Sequence, residues 1–326
     1  RQIHAASPMG DAAFFFSPAR KPDKTGSNWI RGGKRMMRYS AGVGILVGLL
    51  VAMGLATTAG AAETLTLALT PSQSPTALQQ VGDEFGAVLS KLLKMPVKVY
   101  VASDYAAVIE AMRSRNADLA FLHTVGYVLA HQEAKATLLA KDIWHGKTSY
   151  TSRIYVRKDS GLKTLEDLRG KTIAFVDPTS SSGYIYPMIL LIQKGLVKSR
   201  DPKTFFKEAL YAGSHDAALL ALVNRSVDAA ASFDLAREQY LKDRERIEAI
   251  TWVAETPPIP EAGIAAREGL EPALAKRIFD ALMALNAPEY KPLLTKLYSI
   301  DGFTDPGPDS DFDVVRVALR EGMLKR

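Results

Sequence analysis

The stretch Lys171-Thr-Ile-Ala-Phe-Val-Asp-Pro-Thr-Ser-Ser-Ser-Gly-Tyr184 decides how this chain is read. Ile173 to Val176 has the short, continuous apolar character of a buried strand. Asp177-Pro178 is a turn signal. Ser180, Ser181 and Ser182 then stand directly before the apolar run Ile185–Ile192, which reads as a helix. The start of a helix leaves backbone N–H groups unpaired and carries partial positive charge. One serine suffices to cap a helix. Three consecutive hydroxyls add donors that a cap does not need, and point to a site for an oxyanion such as phosphate or a phosphonate.

On both sides of this stretch, strand-like and helix-like segments alternate. Thr64–Thr70, Val97–Ala102, Asp118–Leu122 and Arg153–Arg157 read as strands, as do Asp228–Phe233 and Ala249–Ala254. Helical spacing falls at Leu78–Leu93, Tyr105–Ser114, Val125–Ala134, Leu165–Leu168, Gly183–Lys194 and Ala217–Asn224. Such alternation predicts α/β layers with largely parallel sheets, and two runs of it predict two lobes. The proline-dense Thr256-Pro-Pro-Ile-Pro260 reads as a hinge, since it suits neither a helix nor a central strand. Gly263–Ala266 then re-enters the first lobe, which helical segments at 271–286 and 288–298 complete. Ligands of open α/β sheets sit beyond the carboxyl ends of strands. Those ends carry Asp104-Tyr105, His123-Thr124, Asp177 with the serines, His215 and Asp234, which together describe a cleft between the lobes.

Composition narrows the function. Eight of the 41 basic residues but only two of the 35 acidic ones fall in residues 1–61, so 33 of each remain in the rest. A neutral body argues against a nucleic-acid partner. Within residues 1–61, Arg35 and Arg38 precede the apolar run Ala41–Ala56, and Ala59-Gly60-Ala61 comes after it. This is the layout of a secretory signal peptide, with cleavage expected near Ala61 and a start at Met36 or Met37. No cysteine is present, which excludes disulfides and a lipid-modified N-terminal cysteine. No nucleotide-binding loop is present, so the chain is not an ATPase, and no cofactor or metal is expected.

Five segments in this order and spacing carry a resemblance. They are Asp104-Tyr-Ala-Ala-Val-Ile-Glu-Ala-Met112, Tyr155-Val-Arg-Lys-Asp-Ser-Gly161, Asp177-Pro-Thr-Ser-Ser-Ser-Gly183, Gly213-Ser-His-Asp216 and Val227-Asp-Ala-Ala230. The sequence resembles the phosphate, phosphite and phosphonate receptors of ABC transporters, the PhnD-like periplasmic substrate-binding proteins. The resemblance implies a type II periplasmic binding protein, with two α/β lobes joined by two crossing strands and a cleft between them. It implies residues 62–154 as the first part of lobe 1, 155–257 as lobe 2, and 258–326 as the return to lobe 1 with C-terminal helices.

The resemblance also implies a soluble periplasmic monomer that passes a small phosphorus oxyanion to an ABC membrane permease. The residues it places on the ligand are Tyr105, Tyr150, Ser180, Ser181, Ser182 and His215. Asp234 joins them as a carboxylate that suits a ligand keeping a proton to donate, and so disfavours sulfate. Relatives that bind aminoethylphosphonate pair its amine with acids, where this chain aligns Leu235 and Ala262. Amine-free ligands are therefore expected, although Glu261 is adjacent. His123 stands where relatives often have a smaller residue, and should narrow the cleft. Two other readings stay open. One is a sensing protein with the same cleft and a signalling partner. The other is a hydrolase using Ser181, His215 and Asp234, for which the sequence offers no strained G-x-S-x-G turn.

Overall fold

A computed structural model describes residues 64–198 and 201–320. The extension, the signal layout and the cleavage position lie outside the described residues. So does the unit Arg1–Thr58, whereas the described residues belong to one compact unit, Ala59–Arg326.

The first sheet starts with β1 (Leu65–Leu69), whose alternate large side chains are buried. Helix α1 (Pro75–Leu93) comes next, with proline at its first turn and Lys94 closing it in the left-handed conformation. Gly82 and Gly86 face Val99, so the helix lies close on β2 (Val97–Val101). Helix α2 (Tyr105–Arg113) is capped by Asp104, which accepts from the Ala107 N–H at 2.7 Å. Strand β3 (Leu119–Leu122) is buried on both faces, and α3 (Thr124–Ala134) leaves it directly. Strand β4 (Thr137–Trp144) then leads to the short β5 (Ser149–Tyr150).

The second sheet is built from β6 (Ser152–Arg157), β7 (Thr172–Phe175), β8 (Glu208–Tyr211), β9 (Ala229–Phe233) and β10 (Ile250–Glu255). Between them, α4 (Tyr186–Gln193) comes after β7 and α5 (His215–Val223) after β8. The chain returns through β11 (Ile259–Pro260) to β12 (Gly263–Ala266). Helices α6 (Pro272–Ala284) and α7 (Lys291–Tyr298) and strand β13 (Ile300–Thr304) finish the first lobe.

The sheet orders are β13-β4-β12-β3-β1-β2 and β10-β6-β9-β7-β8. Strands β1, β2 and β3 run parallel, as do β7, β8 and β9. The remaining pairings are antiparallel. The expectation of largely parallel sheets thus holds for one side of each sheet, β3-β1-β2 in the first and β9-β7-β8 in the second. It does not hold for β4, β12 and β13 or for β6 and β10. Of these, β6 and β12 are entered by crossing from the other lobe, while β4, β10 and β13 follow elements of their own lobe. The expected boundary at 154/155 falls inside β6, because the chain already joins the second sheet at Ser152.

The lobes are joined at the crossings. Strands β5 and β11 pair antiparallel, with Ile259 opposite Tyr150. Next to them, the Ser152 N–H donates to Thr256 Oγ1 at 3.0 Å, and the Thr256 N–H returns to the Ser152 carbonyl at 2.9 Å. Each lobe has its own apolar packing. Leu67, Phe85, Phe121, Ile264 and Leu282 pack in the first, and Tyr155, Ala174, Leu219 and Ala230 in the second. A further cluster joins Leu122 and Val125 to Phe175, Ile185 and Met188.

One device recurs in both lobes. Asp118, entering β3, accepts from the Thr66 N–H on β1 at 2.9 Å. Asp228, entering β9, accepts from both the N–H and the hydroxyl of Thr172 on β7, each at 2.9 Å. These carboxylates pin the register of adjacent parallel strands, so the Val227-Asp228 motif is a strand lock. Asp228→Ala should destabilise the protein by about 1–3 kcal/mol, because it leaves a half-buried N–H without its partner. Urea unfolding measures this, and an unchanged midpoint would contradict the assignment.

Candidate functional site

Strand β7 points the chain at the site, and local hydrogen bonds shape the turn beyond its end. The Asp177 carboxylate accepts from the N–H and hydroxyl of Thr179 at 2.7 and 2.6 Å. This closes an Asx turn. Ser180 Oγ then accepts from the Gly183 N–H at 3.1 Å and caps a π-helical turn over Ser181–Ile185. Helix α4 continues from it. The expected helix start at Gly183 is therefore a wider turn, begun two residues earlier. A single π turn of this kind places more residues on one short arc than an α turn does.

Gly183 is what allows it. A Cβ there would penetrate the Val176 side chain and lie 2.7 Å from Ser180 Oγ. The Gly183 carbonyl meanwhile accepts from the Val176 N–H at 3.1 Å. From the second sheet, Ser152 Oγ donates to the Ser182 carbonyl at 2.5 Å. The turn is thus held against both β7 and β6, with all three serines buried.

Ser180, Ser181 and Ser182 form one wall of a cavity of about 50 Å³. His215, at the start of α5, forms the next. Its Nδ1 lies 2.7 Å from Ser232 Oγ, so with that hydroxyl donating, Nε2 carries the ring proton. From the first lobe come Ser72, His123, Asp142, Trp144 and Tyr298. Tyr150 comes from the crossing strand β5 and Glu261 from the residue just after β11, and the aromatic rings of Phe233 and Tyr240 close the remaining side.

The electrostatics are unusual for a polar cavity. Among the described residues, no lysine or arginine lines it. Burial lowers the His123 pKa to about 4. Burial, with His123 nearby, lowers that of His215 to about 3. Both rings are neutral at neutral pH. Burial raises Asp142 to about 7. It holds Glu261 well above the usual carboxylate range, with Asp142 and Asp234 adding to the shift. His123 Nε2 and Asp142 Oδ1 are buried without a hydrogen-bond partner among the described residues.

Two hydrogen bonds tie the lobes across the cavity. The Val125 N–H, at the start of α3, donates to Ser181 Oγ at 2.9 Å. The His215 N–H donates to the Ser72 carbonyl at 3.1 Å. Since Ser181 Oγ accepts from Val125, its own proton is free to turn elsewhere.

Of the residues expected from the sequence, Tyr150, Ser180, Ser181, Ser182 and His215 converge on the cavity. Tyr105 stands behind this lining. Its hydroxyl is buried beside Ser180 without a well-formed hydrogen bond. Asp234 is half-buried and faces a separate pocket, shared with His145, Lys147, Leu235 and Pro258. The Ser181–His215–Asp234 arrangement is consequently not assembled. His215 bonds Ser232, and Asp234 is outside the cavity. No signal in the sequence points to Asp142 or Tyr298. Neither falls in a segment with a recognisable motif, and β4 has no clean alternation to announce it as a strand.

A family model described as "ABC transporter, phosphonate, periplasmic substrate-binding protein" matches residues 67–312. The chain belongs to that family. It is 31% identical over 283 residues to the phosphate-import protein PhnD of Mycolicibacterium smegmatis, covering 80% of this chain and 86% of that one. The binding protein component of an ABC phosphonate transporter from Pseudomonas aeruginosa superposes with a TM-score of 0.71 at 25% identity, over 79% of this chain and 85% of that one. PhnD1 from Prochlorococcus marinus, solved with methylphosphonate, shares the fold with a TM-score of 0.70 at 21% identity, over 79% and 97% of the two chains. The family's fold is the type II periplasmic binding protein fold, and this chain has it.

Because one wall of the cavity is shaped by the turn at Gly183, that residue is the sharpest test of the geometry. Gly183→Ala should cost about 1–3 kcal/mol through overpacking against Val176. Thermal or urea unfolding measures the loss. A variant as stable as the parent would show that the turn does not depend on this close approach.

Proposed function

We propose that this protein captures a small phosphorus oxyanion in the periplasm and delivers it to an ABC membrane permease. Phosphite, phosphate and short alkylphosphonates are the candidate ligands. The protein acts as a monomer and makes or breaks no bond. Tyr150, Ser180, Ser181, Ser182 and His215 contact the oxyanion, and Tyr105 supports the serine turn from behind.

The observation that carries this reading is the meeting of the serine turn with His215 in one small, partly open cavity. A water needs at least roughly 10–15 Å³ of such volume. A cavity of about 50 Å³ therefore has room for a few heavy atoms, such as a PO₃ group with one small substituent. Unpaired N–H groups at the start of the turn, serine hydroxyls and the His215 Nε2 proton supply neutral donors. Family membership and the relative named for phosphate import support the same ligand class. Binding in a cleft bridged by Val125 and Ser181 favours a closed pair of lobes, which is what a permease can distinguish from the open form.

Hydrogen bonds to a charged group contribute about 1.5–3 kcal/mol each. Ser182→Ala and His215→Ala should each weaken phosphite or methylphosphonate binding roughly tenfold to a hundredfold. Ser180→Ala should do so too, with an added stability loss of about 1 kcal/mol because Ser180 caps Gly183. Ser160→Ala is the control, since its hydroxyl donates to the Arg157 carbonyl in a distant loop. Calorimetry decides. Variants that bind like the control would reduce Ser180 and Ser182 to structural residues of the turn.

A further inference from the structure

Asp142 and Glu261 have no place in a simple anion site. Both line the cavity, and they are only 4% and 5% exposed. They sit on neighbouring segments. The Asp142 N–H donates to the Ala262 carbonyl at 2.8 Å, and Gly263 pairs with Lys141. The side chain of Asp142 leaves β4 on the face opposite Lys141, whose buried ammonium pairs with Asp311 at 2.8 Å. Asp142 Oδ1 has no partner among the described residues. Two buried carboxyls without a cation cannot both be ionised beside an anion.

We propose that Asp142 and Glu261 hold a proton between them and make the site selective for an oxyanion that carries a hydrogen-bond donor of its own. This inference rests on the oxyanion reading of the cavity. The pair then determines specificity. One carboxyl donates to the ligand, and the other accepts from a P–OH group. Sulfate has no proton to offer at neutral pH, and leaves an acceptor unpaired in a buried place.

The surroundings favour a shared proton. Among the described residues, Lys141 is the cation that acts on Asp142, and its ammonium is committed to Asp311. Asp234 repels a charge on Glu261. Tyr150 and Tyr298 face the two carboxyls as neutral phenols, and burial raises the pKa of each. His123 and His215 bring no charge from the other walls. Asp142, raised to about 7, passes to its charged form as pH rises through neutrality. Binding is therefore strongest below that point and weakens above it. Every proton the complex must retain costs about tenfold in affinity per pH unit.

The test is calorimetry with phosphite, methylphosphonate and sulfate between about pH 6 and about pH 8, on the parent, Asp142→Asn and Glu261→Gln. Each ligand titrates identically in all three proteins, so differences in slope belong to the carboxyls. The parent should weaken with rising pH and reject sulfate. Asp142→Asn should flatten the pH dependence, and the preference for phosphite over sulfate should shrink at least tenfold. Variants that keep the parent's slope and discrimination overturn the pair's role while leaving the oxyanion reading intact. No binding of any phosphorus oxyanion at any pH overturns both. A third result has a different meaning. If aminomethylphosphonate binds tighter than methylphosphonate, and Glu261→Gln removes that advantage, the pair is ionised for an ammonium and the inference is wrong. Should either variant fail to fold, proton uptake by the parent still decides. Binding of phosphite at about pH 8, compared in two buffers of different ionisation enthalpy, must take up protons, and zero uptake contradicts the proposal.

Discussion

An anion held without lysine or arginine has to be met by neutral donors that are already in position. Water offers an oxyanion many adaptable hydrogen bonds, and a cavity competes only if its donors need no rearrangement. The turn from Ser180 to Gly183 meets that demand. Asp177 fixes its entry, Ser180 the Gly183 N–H, Val176 the Gly183 carbonyl and Ser152 the Ser182 carbonyl. A side chain at Gly183 would break this arrangement at its tightest point. In the proposed function, the lobes, the crossings and the helix α4 behind the turn all serve to present these few atoms.

Neutrality has a second consequence. A guanidinium attracts phosphate, sulfate and carboxylates alike, whereas a set of donors and acceptors discriminates by where the protons are. Both buried histidines are held neutral, and both buried carboxyls resist ionisation. In the proposed reading the cavity therefore recognises protonation state and shape before charge. Its enclosure strengthens each of these hydrogen bonds, and makes each mismatch correspondingly costly.

Much of the fold is legible along the chain because buried parallel strands are short apolar runs flanked by polar turns. Thr172–Phe175, Leu119–Leu122 and Ala229–Phe233 are recognisable in this way. Strand β4 is not. It lies between antiparallel neighbours, buries Lys141 and Asp142, and so breaks the pattern that marks a strand. The same feature hides Asp142. The serines and His215 are visible because local sequence places them at helix starts. Asp142 and Tyr298 reach the cavity only through pairings that span the whole chain. Glu261 stands out as a neighbour of Ala262, but its direction depends on the crossing strand β11, where one residue either way faces the opposite side. Asp234 shows the reverse error. Its position at a strand end suggests the cavity, and the chain turns it into the adjoining pocket.

The function proposed for this cavity depends on the position of one phosphorus atom. A crystal structure of the protein with methylphosphonate locates it. Phosphonate oxygens should lie within hydrogen-bond distance, about 2.7–3.2 Å, of the Ser181 and Ser182 groups and of His215 Nε2, with Asp142 or Glu261 against the remaining oxygen. Methylphosphonate in the pocket beside Lys147 and Asp234, with the serine turn untouched, would contradict that function.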